Sequence, residues 1–386
     1  MRHSKRRTDR QLPVVPFSLL IKPVSCDCTL ECSYCFYKKA AALYPEHSKL
    51  MTVTTLAAIL KQYLSLRFPV SSLCFQGGEP LLADPHLYYT IPELFDRYAH
   101  DGQILEVSFQ TNGVGITREW TNLFALLHAL VGVSLDGPEN IHDAYRVASD
   151  EKGTFISVMN GIDLLRKDNI PFNILTMITD KSVGHADAIY TFFMEQGYNW
   201  LQFIPCVEID SLTNELSEYS ITSEGFERFY STLFDRWFEN GYPDVSIRLF
   251  EDILFALVDG VTGSCTHGPV CDGNPVIEYN GDVYPCDFFV DPAWCLGTIH
   301  EQPIDELLRH PLRLQFMQLK KEYASGCGNC KFNALCHGGC PKHYLYCNSG
   351  HTPGNHLCTG YHRFLDYTYE RFLELRDDIV QRRNAR

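Results

Sequence analysis

Ten of the 16 cysteines in this 386-residue chain fall between Cys265 and Cys358, and three more form the run Cys28-x3-Cys32-x2-Cys35. Thiols at this density either build disulfides in an oxidising compartment or hold metal in a reducing one. The chain opens with the basic run MRHSKRRTDR. No apolar segment with a small-residue cleavage site follows it, as a secretory signal would require. No stretch reaches the roughly 18 uninterrupted apolar residues of a membrane span. The expected compartment is therefore the cytoplasm, and the expected role of clustered cysteines there is metal binding. Residues 265–358 are rich in Gly, Pro and His and show few periodic runs. A segment with so little core of its own takes folding energy from metal ligation.

The preceding residues follow another pattern. β-Rich runs at Ser18–Lys22, Ser72–Gln76, Leu105–Gln110, Val131–Leu135, Phe172–Ile178 and Trp200–Ile204 alternate with helical patterns near 53–66, 86–99, 117–129, 154–167 and 183–196. Such alternation predicts parallel strands with right-handed crossovers. Six repeats suit an α/β fold of the partial (β/α)6, TIM-like barrel type. Gly77-Gly78-Glu79, Thr111-Asn112-Gly113 and Asp136-Gly137 sit at strand C-terminal ends, where barrels build active sites. The domains expected are a disordered basic start at 1–15, the barrel at 16–250 and a cysteine-rich unit at 251–386, closing in a charged amphipathic helix over Tyr361–Arg382. The net charge of −14 repels polyanions, so no nucleic-acid partner is expected, nor a membrane.

Three thiolates on a 4Fe–4S cluster leave one iron without a protein ligand, and reaction at a metal needs such an open position. A zinc site lacking one ligand and a redox-active Cys-x-x-Cys at 32–35 are the alternatives. Phe36 stands where haem attachment needs His. Cys26 lies outside the spacing and reads as a packed thiol. The triad resembles that of the radical S-adenosylmethionine (SAM) superfamily, which implies that SAM occupies the open iron. Gly77-Gly78-Glu79-Pro80 resembles the superfamily's GGEP element. By that resemblance Tyr34, Gly78, Glu79, Ser134, Arg146 and Val207 contact SAM, although core packing explains Val207 equally well.

The later cysteines run Cys265-x5-Cys271-x14-Cys286, then Cys327-x2-Cys330-x5-Cys336-x3-Cys340, then Cys358. Spacing alone leaves a zinc ribbon of 327, 330, 336 and 340 open. The set resembles the SPASM domain, and the chain as a whole resembles the anaerobic sulfatase-maturating enzymes. LLIKP at 19–23, CSYCFY at 32–37, FQGGEP at 75–80, QTNG at 110–113, VGVSLDGP at 131–138, LQFI at 201–204, YPCDF at 284–288 and LCHGGC at 335–340 carry that resemblance. It implies three 4Fe–4S clusters: one on Cys28, Cys32 and Cys35; an auxiliary cluster on Cys265, Cys271, Cys286 and Cys340; a second on Cys327, Cys330, Cys336 and Cys358. Cys295 and Cys347 are left over, and Cys347 is the alternative to Cys358. The resemblance makes Asp287 the general base, where a turn-capping Asp is the plainer reading. It places Tyr37, Gln76 and Gln110 on the peptide.

The implied reaction is oxygen-independent oxidation of a sulfatase Cys or Ser to Cα-formylglycine. The implied partners are an unfolded or nascent sulfatase polypeptide and an electron donor such as flavodoxin or ferredoxin. The alternative is a SPASM-type maturase that crosslinks another peptide. Many of those carry an N-terminal leader-binding domain, for which a triad beginning at residue 28 leaves no room. The segment Pro341–Leu357, with Lys342, His343 and Tyr344, departs from the more basic run expected of the sulfatase family. A non-catalytic cluster or zinc carrier would need neither the GGEP element nor an open triad.

Overall fold

The computed structural model describes residues 16–45, 49–210, 213, 215–239, 243–344 and 354–385. The basic start at 1–15 and Cys347 lie outside them, as does much of the departing segment after Tyr344.

Six strands form where expected: β1 (Ser18–Lys22), β2 (Val70–Phe75), β3 (Ile104–Thr111), β4 (Leu130–Ser134), β5 (Phe172–Ile178) and β6 (Trp200–Pro205). Between them run α1 (Val53–Leu64), α2 (Ile91–Tyr98), α3 (Arg118–Leu126), α4 (Phe155–Lys167) and α5 (Ala186–Glu195). The single helix expected at 86–99 is two. A short helix, Pro85–Tyr89, stops at Thr90, and Pro92 lies in the first turn of α2, where a missing N–H costs nothing.

Two helices, α6 (Ser223–Phe238) and α7 (Arg248–Asp259), and the two-residue strand β7 (Ser246–Ile247) extend the series beyond the expected six. The strand is too short to show a period. The helix α6 is legible: Phe226, Phe229, Tyr230, Leu233, Phe234 and Trp237 recur at helical spacing and are buried. The cysteine-rich unit also holds a 13-residue helix, α8 (Pro311–Tyr323), where few periodic runs were expected.

β1 to β7 pair in sequence order and in parallel. The sheet stays open and does not end at residue 250. On the free edge of β1 it continues through β8 (Val276–Glu278), parallel to β1, then antiparallel β9 (Asp282–Tyr284) and β10 (Gly297–Thr298). The cysteine-rich unit thus shares the barrel's sheet. The last helix, α9 (Cys358–Asn384), packs back on α6 and α7 through Phe226–Tyr361 (centroids 4.3 Å), Phe234–Phe372 (4.7 Å) and Phe250–Phe364 (5.9 Å). Gly360 lets it approach, since a Cβ there would lie 2.1 Å from the Ser223 carbonyl oxygen.

Candidate active site

Strand alternation divides the barrel residues between two environments. Leu19, Ile21, Leu73, Phe75, Val107 and Phe109 are buried in the apolar core. Leu20, Lys22, Cys74, Gln76, Ser108 and Gln110, on the opposite faces, line a cavity of about 1570 Å³. The barrel centre is therefore a partly polar chamber rather than a packed core. Cys28, Cys32 and Cys35 lie in the loop after β1 and line its mouth. Burial pushes the Cys32 thiol up to about 12, with the Cys35 and Cys28 thiolates adding and Arg146 opposing. Asn112 Nδ2 lies 3.7 Å from Cys28 Sγ. Burial raises the Cys26 thiol, with Lys49 opposing and Asp27 and Glu278 adding.

The Gly77-Gly78 turn is shaped by its neighbours. A Cβ on Gly77 would meet Lys22 Cδ at 2.2 Å, and one on Gly78 would meet the Asp27 carbonyl oxygen at 2.0 Å. Both residues have positive φ, +94° and +52°, which suits glycine. Gly78→Ala is expected to destabilise the fold by about 2–5 kcal/mol, summing left-handed backbone strain and overpacking. A thermal melt beside Gly184→Ala, whose Cβ would meet nothing within 4 Å, checks this; equal melting temperatures would refute it.

Glu79 is 1% exposed. Its carboxylate accepts hydrogen bonds from Thr111 Oγ1 (2.7 Å), Asn112 N (2.7 Å) and Leu81 N (3.1 Å). Burial raises its pKa to about 7 against those bonds. Its side chain is tied into the β3 end, while Gly77 and Gly78 line the cavity. Ser134, Arg146 and Tyr34 line it too. Val207 is not among the lining residues and is 2% exposed within the apolar core.

Asp136, at the end of β4, ties this region together. Its Oδ2 accepts from Tyr34 Oη (2.5 Å) and Arg146 Nε (2.9 Å), and its Oδ1 from Met177 N (2.9 Å). The Tyr34 bond spans 102 residues and fixes the triad loop to the sheet. Burial pushes His142 down to about 4, so its ring is neutral and Nδ1 accepts from Asp136 N (3.3 Å).

Asp287 reaches the same cavity through the β8–β9 hairpin. The register Lys22↔Glu278 sets the hairpin beside β1, and the chain leaving β9 carries Cys286 and Asp287 to the barrel mouth. Asp287 Oδ2 accepts from Gln76 Nε2 at 3.1 Å and lies 3.9 Å from Lys22 Nζ. Lys22, 1% exposed, stands 4.2 Å from the Tyr37 ring centroid. The Tyr37 hydroxyl donates to the Glu278 carboxylate. Burial raises the Glu278 pKa against the Tyr37 bond and the Lys22 charge. Of the three residues assigned to the peptide, Gln110 lines the cavity, whereas Tyr37 and Gln76 are also engaged within the protein. Lys22, Glu278 and Asp136 were not assigned roles from the sequence.

All described cysteines are free thiols, and the C-terminal ones gather in two groups. Burial and Asp287 raise the Cys286 thiol, followed by Cys340 and Cys271. Burial lifts Cys271 to about 12, with Cys340 and Cys265 adding. Cys336 reaches about 11 by burial, with Cys358 and Cys327 adding. Cys358 is raised by burial and by Cys327 and Cys330. The thiols acting on one another are thus Cys265, Cys271, Cys286 and Cys340 on one side and Cys327, Cys330, Cys336 and Cys358 on the other. Cys295 belongs to neither; its Sγ faces the Gly297 carbonyl at 4.0 Å. Among the described residues no three His, Cys, Asp or Glu side chains form a site for a single metal ion.

A family model described as the radical SAM superfamily matches residues 23–193, and one described as an iron-sulfur cluster-binding domain matches 269–331. A cysteine-type anaerobic sulfatase-maturating enzyme of Clostridium novyi is 34% identical over 90% of this chain and 94% of its own length. A serine-type enzyme of Bacteroides thetaiotaomicron is 32% identical over 91% of this chain and 89% of its own. The solved structure of anSMEcpe with bound AdoMet and Cp18Cys peptide matches with a TM-score of 0.87 at 32% identity, covering 95% of this chain and all of that one. Streptococcus suis SuiB bound to precursor peptide SuiA, at 17% identity and a TM-score of 0.60, shares the fold. A barrel mouth with an open thiol triad, two further thiol groups and full-length relatives of one kind together place this chain among the anaerobic sulfatase-maturating enzymes of the radical SAM superfamily.

Proposed function

We propose that this chain oxidises a Cys or Ser side chain of a sulfatase polypeptide to Cα-formylglycine without oxygen. The carrying observation is that the three-thiol triad, the Gly77-Gly78 turn and Asp287 line one cavity in a chain of this family. We assign Cys28, Cys32 and Cys35 to the cluster that meets SAM, Cys265, Cys271, Cys286 and Cys340 to one auxiliary cluster, and Cys327, Cys330, Cys336 and Cys358 to the other.

The residues fit these groups. Burial raises the thiol pKa of Cys28, Cys32, Cys265, Cys271, Cys286, Cys336, Cys340 and Cys358, and such thiols become thiolates only beside a cation; all assigned cysteines are free. A single zinc ion would draw thiolates to about 2.3 Å, whereas a polynuclear cluster spans a more open set.

Bound here, the clusters and SAM supply a 5′-deoxyadenosyl radical that removes a hydrogen atom from the target Cβ and a sink for the electron left behind. The chain's residues do the rest. The Gly77-Gly78 turn, Ser134 and Arg146 hold SAM, and Asp136 holds Arg146 and Tyr34. Asp287 takes the substrate's thiol or hydroxyl proton. Gln76 already donates to Oδ2. Oδ1 faces Cys286 Sγ at 3.7 Å; once that sulfur is a thiolate it donates nothing, and Oδ1 is left to receive the proton. Lys22 and Gln76 orient the carboxylate. A thiol loses a hydrogen atom, a proton and an electron to give a thioaldehyde, and water converts it to the aldehyde with release of hydrogen sulfide.

The target must reach Asp287 inside the barrel, which favours an unfolded or nascent polypeptide. The electron donor is of the flavodoxin or ferredoxin type and the compartment is the cytoplasm. Among the described residues no helix is long and apolar enough to cross a membrane.

The test is anaerobic reconstitution with iron and sulfide, then SAM, reductant and a peptide bearing Cys-x-Pro-x-Arg. Mass spectrometry should show –CH2SH replaced by –CHO, with one 5′-deoxyadenosine per product. SAM cleavage with both this peptide and its Ser counterpart unchanged would move the chain to the crosslinking maturases.

A further inference from the structure

Lys320, in the last turn of α8, is 1% exposed. Lysine is almost never so buried unless its charge is paired, and an uncompensated buried charge is strongly destabilising. Among the described residues its ammonium forms no ion pair with a carboxylate within 4.0 Å. Its hydrogen bonds go to two backbone carbonyls, Cys265 (3.1 Å) and Thr266 (2.6 Å). The anionic groups near it are the thiolates of Cys271, Cys340 and Cys265 from one set and Cys336 from the other, and each of these four is in turn lowered by Lys320. Burial lowers the Lys320 pKa and those thiolates oppose that shift; its two hydrogen bonds set it against the backbone of the first thiol set.

We propose that Lys320 is a positioning residue for electron transfer, a fixed positive charge that raises the reduction potentials of both auxiliary clusters and of the Cys265 cluster most. This rests on the cluster assignment above. A cluster's potential follows net charge, hydrogen bonding to its sulfurs and solvent exposure. A cation held in a buried, weakly screened place favours the form carrying one more electron. Three of the four thiols near Lys320 belong to the Cys265 set, which gives that cluster the larger shift. The competing role is mechanical, with Lys320 only pinning α8 to the Cys265–Thr266 carbonyls.

Three variants of the full-length, reconstituted enzyme separate the roles. Lys320→Gln removes the charge and keeps an N–H donor, Lys320→Met removes both, and Lys320→Arg keeps the charge. Iron content and a redox titration followed by electron paramagnetic resonance are measured for each. In the Gln and Met variants the first auxiliary cluster should become at least tenfold harder to reduce, about 59 mV for one electron. The second should shift in the same direction by less, and the SAM-binding cluster should not move. The Arg variant should match the parent.

Unchanged auxiliary potentials in fully loaded Gln or Met protein overturn the proposal. So does iron loss in all three variants, which makes the lysine a mechanical tie. A parent protein with iron for only one cluster defeats the cluster assignment and this proposal with it. A fully loaded parent that cleaves SAM but leaves sulfatase peptides unchanged defeats the formylglycine reading instead, and the potentials still decide the role of Lys320.

Discussion

Asp287→Asn leaves SAM cleavage intact and cuts formylglycine formation by about 10²–10⁴-fold, the usual contribution of a positioned general base. Asn keeps the size of the side chain and an oxygen for the Gln76 Nε2 bond, which is 3.1 Å in the parent. It cannot accept the substrate proton. Hydrogen-atom removal from Cβ does not need that proton to leave, so 5′-deoxyadenosine should accumulate without aldehyde. The readout is the ratio of the two products in one sample. A parallel fall in both, or loss of iron, would mean that the substitution acts through the adjoining Cys286, and Asp287 would lose its role as base. Lys22→Met should move the same ratio in the same direction but less, because Gln76 still holds the carboxylate.

The difference between Asp287 and the groups around it shows what the sequence can carry. The six barrel strands, the thiol triad and the Gly77-Gly78 turn are legible because each is local: a two-residue period, a fixed spacing, a glycine pair. Val207, open in the sequence between SAM contact and packing, lies buried in the apolar core. Lys22 ends a strand whose alternation already turns Ser18, Leu20 and Lys22 to one face. Nothing local says that Glu278 and Asp287 will stand beside it, because that follows from β8 pairing with the free edge of β1 across more than two hundred residues of chain. The same pairing joins β8, β9 and β10 of the cysteine-rich unit to the barrel's sheet. The two thiol sets proposed interleave in sequence, Cys340 with the first and Cys358 with the second, so spacing could not sort them; the assignment comes from resemblance. Helix α6 is the contrary case, a clear apolar stripe that the strand–helix count passed over.

Asp136 gives the larger expected effect on stability. Its carboxylate, 4% exposed, faces the guanidinium of Arg146, 10% exposed, and also satisfies Tyr34 Oη and Met177 N. Asp136→Ala leaves one buried cation and two buried donors without their acceptor. Breaking such a pair costs about 3–5 kcal/mol, and each stranded donor adds about 1–3. Arg146→Met should cost less, because the carboxylate keeps two donors. The order of the apparent melting temperatures, parent above Arg146→Met above Asp136→Ala, is the prediction, and an Asp136→Ala protein as stable as Arg146→Met would overturn it. SAM affinity should separate the two effects. Both variants lose the oriented guanidinium, so both should bind SAM at least tenfold more weakly, about 1.4 kcal/mol, although they differ in stability. A variant that melts early yet binds SAM as the parent does would show that Asp136 holds the fold and not the ligand.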